Sequence, residues 1–575
     1  MNQPSAATAP DNGHPHKWLI LSAVSLGMFM ALLDVTIVNI AIPAITTDLH
    51  ASYTTISWVL NAYNLAMAAL FLSMGRIADK FGQKIVFVAG LALFALFSLA
   101  CGLAPTIGWL IVFRVVQGIG AAAMAPISLS ILMGAFPRHQ HGTAVGIWGA
   151  LGTIAAALGP SIGGLLVTYA SWHWIFFINV PIGVGAFVFA MAVVPEVRRA
   201  GAAGSIDLAG IALSIGGLFC LTLGLTQGNE WGWSSARVLA LFAIAVACYP
   251  LFIWWETRTR HPMFDFRMLR IRSFTAANTA MMLMGVALGG TMVLLVIFMV
   301  NVMGYSELKA ALAITFMPVT ALFIAPNVGR LNDRIGPRFP SAIGMAFFAV
   351  GLVLIARLGG EAKLLDIAWR LVIMGIGMGF SMPTLAAAAM GSLPPQFGGV
   401  GSGAFATLRQ VGFVLGVAIL ISIFTHTIAQ DLQTGFRKAE SYVLVAPQLD
   451  QAPPGTADQV VAGLRQAAKV AAAQKGGNSA RKLTSADIVL PAPPPGTPPD
   501  VAAQIVQNQT QLKAKLFAII KDNVAHAFMW PFYAAALAAF LAIFPGLLTG
   551  RRLGEHSGHE EMSRRDRLAT NGEEA

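Results

Sequence analysis

Apolar runs about as long as a bilayer crossing, broken by short polar, glycine or proline clusters, recur from Trp18 to Leu548. A helix rising about 1.5 Å per residue needs roughly 20 residues to cross a hydrocarbon core of about 30 Å. By that ruler the pattern predicts six spans near 18–43, 56–74, 85–104, 109–133, 143–166 and 175–195. Two more follow near 208–226 and 237–255, and a second six near 274–302, 309–328, 340–357, 367–390, 401–425 and 527–548, fourteen in all. The uncharged stretch from Thr143 to Pro195 is divided at "TYASWHW", where Trp172 and Trp174 suit a membrane interface. Lipid offers the backbone no hydrogen-bonding partner, so such spans are helices and the chain is expected to be an all-α membrane protein. The first run exceeds a signal-peptide core and lacks a small-residue cleavage site, so it is expected to stay as a span.

The pattern changes once, across 426–526, where apolar runs give way to polar sequence. Within it, "QAPPGTADQ" and "LPAPPPGTPPD" are turn or extended spacers, while 456–475 and 499–522 have helical composition. These two segments predict a small helical hairpin outside the membrane.

An internal repeat organises the spans. "GRIADKFGQK" at 75–84 matches "GRLNDRIGPR" at 329–338, with Gly, Arg, Asp, basic, Gly and basic in register, 254 residues apart. "RVVQGIGAAAMAP" from Arg114 resembles "RLVIMGIGMGFSMP" from Arg370 at nearly the same offset. Six helices occupy about 200 residues, and two inserted helices account for the rest of that offset. The expected order is a tail at 1–17, a six-helix bundle at 18–195 and two inserted spans at 207–255. A second six-helix bundle follows at 274–425 with 527–548, interrupted by the external segment 426–526, before a tail at 549–575.

Composition agrees with a life in lipid: 56% of residues are hydrophobic and 11% charged, against roughly 25% charged in a soluble domain. The net charge of +11 could suggest a nucleic-acid partner, but in so hydrophobic a chain it reflects Lys and Arg left in cytoplasmic loops, which argues against a nucleic-acid binder. With the N-terminus inside, the segments on its side hold twenty Lys and Arg, and the short loops opposite hold only Arg237, Lys309, Arg357 and Lys363. Both termini are therefore expected in the cytoplasm; the long segment 426–526 does not vote, since long segments translocate largely regardless of charge. Cys101, Cys220 and Cys248 all fall in apolar runs and imply no disulfide framework. No phosphate-cradling G-x-x-x-x-G-K-[ST] loop and no metal-spaced histidine cluster occurs, which argues against an ATP-driven pump, a metal site and an enzyme. Energy is then expected from an ion gradient or from the substrate's own gradient, with no cofactor.

Asp34 stands alone among ionisable residues between Lys17 and Asp48. A carboxylate near the centre of a span costs about 2.5 to 3.5 kcal/mol on insertion scales, so it needs a use. Facing a central cavity, it would titrate as solvent access changes, the property a proton-coupling group requires. Arg114, inside the fourth span, needs a partner or water too. Asn39, Trp58, Asn61 and Gln117 place polar or aromatic groups in the outward halves of spans one, two and four and are candidates to line a substrate pocket. In the fifth span Gly152, Gly159 and Gly163 share one face, with Pro160 in the same turn, which predicts close packing against its counterpart in the other half. At 75–84, Gly75 and Gly82 permit a tight reversal, Arg76 suits retention of positive charge inside, and Asp79 is left without a topological purpose.

The 75–84 motif, "RVVQGIG" and the "LGPSIGG" of the fifth span resemble signature motifs of the major facilitator superfamily. "LDVTIVNIAIP" at 33–43 and "WHWIFFINVPIG" at 172–183 are similar to its fourteen-helix drug:proton antiporters of the QacA/EmrB type. The resemblance covers nearly all of 15–425 and the last span, and implies the major facilitator fold. It implies that Asp34 and Arg114 border one cavity, and that Asp79 meets a helix N-terminus or an arginine at the cytoplasmic seam as a gate. Arg330 and Asp333 repeat that arrangement in the second copy. It further implies that the glycine face of span five limits leak. The expected function is export of amphipathic, hydrophobic cationic or neutral compounds in exchange for protons, by a monomer in the bacterial inner membrane. The alternatives are a dedicated exporter of one metabolite or lipid, and a non-transporting sensor or assembly partner. Span ten, "ALAITFMPVTALFIAP", lacks the acidic residue that some such antiporters use for divalent cations. Members of the type use a periplasmic adaptor protein, which the external segment here would either engage or obstruct.

Overall fold

Each apolar run forms a helix because only a helix pairs every backbone group within the segment. The computed structural model describes residues 13–196, 207–259, 262–394, 397–449, 455–473 and 498–550. Most of the tails and spacers expected from the sequence lie outside the described residues.

The first half comprises α1 (Lys17–Asp48), α2 (Tyr53–Phe81), α3 (Gln83–Gly102), α4 (Ile107–Ala135) and α5 (His141–Tyr169). The short α6 (Trp174–Phe177) and α7 (Asn179–Val193) together make its sixth span. The inserted pair is α8 (Leu208–Trp231) and α9 (Ala236–Glu256). The second half contains α10 (Arg272–Ile297), a short α11 (Glu307–Ile314) leading into α12 (Phe316–Ile335), α13 (Arg338–Ala356), α14 (Leu364–Gly391) and α15 (Gly398–Val443). After α16 (Thr456–Ala473) and α17 (Pro499–His526), α18 (Met529–Leu547) completes it. Fourteen helices among the described residues are long and apolar enough to cross a membrane, in the expected order.

Starts and stops follow local chemistry. Ser52 and Thr106 accept from the Thr55 and Trp109 amides to begin α2 and α4. Gly82 ends α2 at φ +113° and Gly336 ends α12 at φ +80°, a backbone region that glycine enters without steric penalty. The break expected at "TYASWHW" falls between α5 and α6. Trp172, between them, is buried against protein and donates from Nε1 to Asp48 Oδ2, at the end of α1, at 2.9 Å.

Within the first half α1 packs on α5, α2 on α4 and α3 on α4 and α7; the second half repeats this with α10 on α15, α12 on α14 and α13 on α14 and α18. The halves meet along two seams, α2 with α15 and α5 with α12, and α8 packs on α2 and α15 beside one of them. Two expectations change here. The 75–84 motif is not a loop: α2 runs through Phe81, so only Gly82 makes the reversal, and Gly75 sits inside the helix. The polar interval does not begin at 426 either, because α15 continues as one 46-residue helix to Val443, about 69 Å long at 1.5 Å per residue.

The two segments of helical composition are α16 and α17, but they do not form a free-standing hairpin. Both pack on the extension of α15, where Phe436 and Val443 share an apolar cluster with Val460 and Leu464 of α16 and Leu512 and Leu516 of α17. That face lies beyond the apolar part of α15, so its heptad-spaced residues bury against protein rather than lipid.

Candidate functional site

Asp34 and Arg114 are both 0% exposed and form an ion pair through Arg114 Nη1 and Asp34 Oδ2. Asp34 Oδ1 accepts from Gln117 Nε2 at 3.0 Å and from Asn179 Nδ2 at 3.2 Å. Arg114 donates from Nε to the Val59 carbonyl at 3.0 Å and from Nη1 to Gln117 Oε1 at 2.8 Å, while its guanidinium lies 4.2 Å from the Tyr63 ring centroid. Helical spacing explains part of this: Arg114 and Gln117, three apart on α4, share one face. Asn179 is braced from behind by Ser98, which itself donates to the Phe176 carbonyl at 2.9 Å. Four spans thus converge on one ion pair: α1, α2, α4 and the α6–α7 span.

A pair taken wholly out of water is costly unless further hydrogen bonds reach it, and the amides of Gln117 and Asn179 supply them to the carboxylate. Arg114 Nη2 is left without a partner among the described residues.

Two expectations are corrected. Asp34 does not face an open cavity in this conformation, since the pair is sealed inside the first half. Gln117 does not line a pocket; it is 0% exposed and holds Asp34 and Arg114. Asn39 is exposed on α1 and its amide bonds its own helix at Val35, while Trp58 and Asn61 are half-buried on α2. Asn179 was not singled out from the sequence. The signal was an amide inside the apolar stretch "FFINVPIG", which reads equally as packing until its neighbours are known.

The seams carry the second cluster. Asp79 of α2 accepts from the Gly399 and Val400 amides, each at 2.9 Å, at the start of α15. Asp333 of α12 accepts from Gly142 N at 2.7 Å, Thr143 N at 2.9 Å and Thr143 Oγ1 at 2.6 Å, at the start of α5. Each carboxylate meets unpaired first-turn amides and the positive end of a helix dipole in the opposite half. Gln83 Nε2 braces Asp79 at 3.3 Å.

Glycine makes this approach possible. A side chain at Gly75 would run into the Gly399 carbonyl, and one at Gly329 into the Gly142 carbonyl. Arg76 is half-buried and Arg330 exposed beside them. Both seams lie at the end of the bundle where the described chain begins, with His14 N donating to the Ala135 carbonyl at 2.9 Å. At the far end, a methyl group at Gly164 of α5 would find Leu308 only at 3.7 Å, ordinary contact.

The fifth-span glycines pack closely, but against a different neighbour from the one expected. Side chains at Gly152, Gly159 and Gly163 would meet Leu32, Thr36 and Ile37 of α1, in the same half, rather than the counterpart span. Gly142 and Gly146, near the start of α5, are the glycines turned to the other half, at Gly329 and Ala325. Pro160 lies inside α5 without ending it.

The chain matches the profile of the Major Facilitator Superfamily over residues 24–417. It is 35% identical over 405 residues to the tetracenomycin C resistance and export protein of Streptomyces glaucescens, covering 70% of this chain and 75% of that protein. It is 32% identical over 443 residues to the multidrug resistance protein Stp of Mycobacterium tuberculosis, covering 76% and 82%. Among solved structures, the human organic anion transporter MFSD10 superposes with a TM-score of 0.53 at 14% identity, covering 72% of this chain and 94% of that one. At that identity the likeness carries the fold alone.

Proposed function

The chain belongs to the major facilitator superfamily, and on that premise we propose that it exports amphipathic, largely apolar compounds in exchange for protons. It is a multi-pass membrane transporter and not an enzyme. The observation that carries the proton-exchange reading is the buried Asp34–Arg114 pair, held inside one half of a two-half fold. The resistance exporters among its relatives support the direction of transport.

In the proposed cycle, the Asp79 and Asp333 contacts close the end where α1 begins and α18 ends, which faces the cytoplasm of a bacterial inner membrane. Breaking them lets the halves rock, water reaches Asp34, and its proton exchanges. The basic residues concentrated in the loops at that end support this orientation. No cofactor enters the cycle, and a monomer contains every group named.

The test is proton release from purified protein on addition of a transported drug, beside drug efflux from vesicles under an imposed proton gradient. Wild-type protein should do both; Asp34→Asn, which keeps the shape but cannot titrate, should do neither, and Asp34→Glu should retain part. Gradient-driven efflux by Asp34→Asn at the wild-type rate would remove Asp34 from the coupling role. A shift for one endogenous compound and for no drug in a toxicity panel would favour a dedicated exporter.

A further inference from the structure

Arginine deep inside a span needs a partner. Arg114 has Asp34, and Arg370, near the start of α14, donates to the Leu354 and Asp366 carbonyls. Arg409 has neither carboxylate nor carbonyl among the described residues, although it is largely withdrawn from solvent. It lies eleven residues beyond Gly398, the first residue of α15, or about 16 Å along a helix that crosses a core of about 30 Å. Within the span expected at 401–425 it lies eight residues, about 12 Å, from the nearer end, well inside the hydrocarbon core.

The pseudo-symmetry of the seams shows that the fold does not ask for a side chain there. Asp79 holds Gly399 and Val400 as Asp333 holds Gly142 and Thr143, so α5 and α15 align, and Arg409 falls on Gly152. In the first half that position is bare and faces Leu32 and Met28 of α1. In the second half α10 offers glycine to the same stretch, with Gly285 against the Arg409 carbonyl. A bulky cation at a position that is glycine in its mate answers to something other than packing.

Nor do the acids inside the spans answer it. Asp34 is held by Arg114, Gln117 and Asn179; Asp79 and Asp333 hold helix starts; Glu256 accepts from the Phe264 amide at 3.1 Å. An unpaired cation inside a span is costly to keep, and a ligand that brings one negative charge removes that cost.

We propose that Arg409 binds an acidic function, a carboxylate or ionised phenol, on the amphipathic compound carried. This rests on the export reading above for the word "carried" but not for the binding itself. It departs from the expectation of cationic or neutral substrates, which would want a free acid in the same place.

The test uses purified full-length protein in phosphatidylcholine nanodiscs and three probes with one aromatic body: pyrenebutyrate, its N-methylamide and pyrenebutyl-trimethylammonium. Binding is read by energy transfer from the protein's tryptophans. Wild-type protein should bind the carboxylate about tenfold more tightly than the amide, and the ammonium least. Arg409→Gln should bring the carboxylate down to the amide's affinity and leave the amide's own unchanged, and Arg409→Lys should keep most of the preference. If Arg409→Gln fails to fold, the wild-type order of the three probes and its persistence in Arg409→Lys decide the matter. Equal or tighter binding of the ammonium by wild-type protein, or an intact carboxylate preference in Arg409→Gln, would overturn the proposal. Carboxylate selectivity that depends on Arg409, without gradient-driven transport of any probe, would uphold the site and sink the export reading. Transport of the ammonium probe at a rate indifferent to Arg409→Gln would do the reverse.

Discussion

Asp79 and Asp333, 254 residues apart in the chain, make the same contact from opposite halves: each accepts hydrogen bonds from the first amides of a helix in the other half. The two seams are therefore one interaction used twice about a pseudo-two-fold axis. A charge-assisted hydrogen bond of this kind is worth about 1.5 to 3 kcal/mol, the size of bias that sets a conformational equilibrium.

Replacing either aspartate with asparagine should loosen the closed end, and the double variant should favour conformations open there. In a cysteine-free background, a cysteine at Val400, 2% exposed, should react with maleimide slowly in the parent and faster with Asp79→Asn. Unchanged labelling in the double variant would mean that the glycine contacts alone hold the seam.

Breaking a buried ion pair costs more than removing it, because one charge is left uncompensated. Asp34→Asn and Arg114→Gln should each lower the thermal unfolding midpoint in detergent, by an amount corresponding to about 3 to 5 kcal/mol, and the double variant should recover much of the loss. Additive losses would show that the pair is not coupled.

Gly159 and Gly163 separate two demands on α5. A side chain at either would meet α1 in its own half, so Gly159→Leu and Gly163→Leu should abolish export and also lower the stability of the first half, by about 1 to 3 kcal/mol. Gly146→Leu, against Ala325 of the opposite half, should instead prevent closure while leaving that stability near the parent. Wild-type transport by both Gly159→Leu and Gly163→Leu would reduce their face to incidental packing.

The α15–α16–α17 cluster has its own core, so a charge inside it should act locally. Phe436→Asp should make the residues around α16 sensitive to protease, and the spans should stay inserted. Deleting about 440–515 behind a flexible linker should likewise leave the spans inserted. Loss of insertion would show that the cluster supports α15 and α18 during assembly.

Orientation is testable by labelling intact cells. Single cysteines at Gly463 and Ala503 should react from outside, and one at Arg267, whose side chain is 59% exposed, only after permeabilisation. Labelling of Arg267 from outside would overturn the two-span insertion and the cytoplasmic placement of the termini.

The sequence by itself determined the number and order of the spans, the duplicated plan with two helices inserted, and the isolation of Asp34. These are legible because lipid forces each crossing to satisfy its own backbone over a set length, a local requirement written in local composition. Tertiary structure alone decided what each special residue touches. Gln117 could as well have lined a pocket as bridged Asp34 and Arg114; the glycines of α5 could have faced either half; and Asn179 looked like packing. Apolar residues run all round these helices, so no stripe marks which side meets protein, and the facing of each side chain is set by neighbours far away in sequence. The extension of α15 was hidden for a related reason. Its residues past 425 are helical by propensity but no longer apolar on every side, and only the cluster formed with α16 and α17 shows that the helix continues. Arg409 is the plainest case: its identity was always visible, but that it lacks a partner is a property of everything around it.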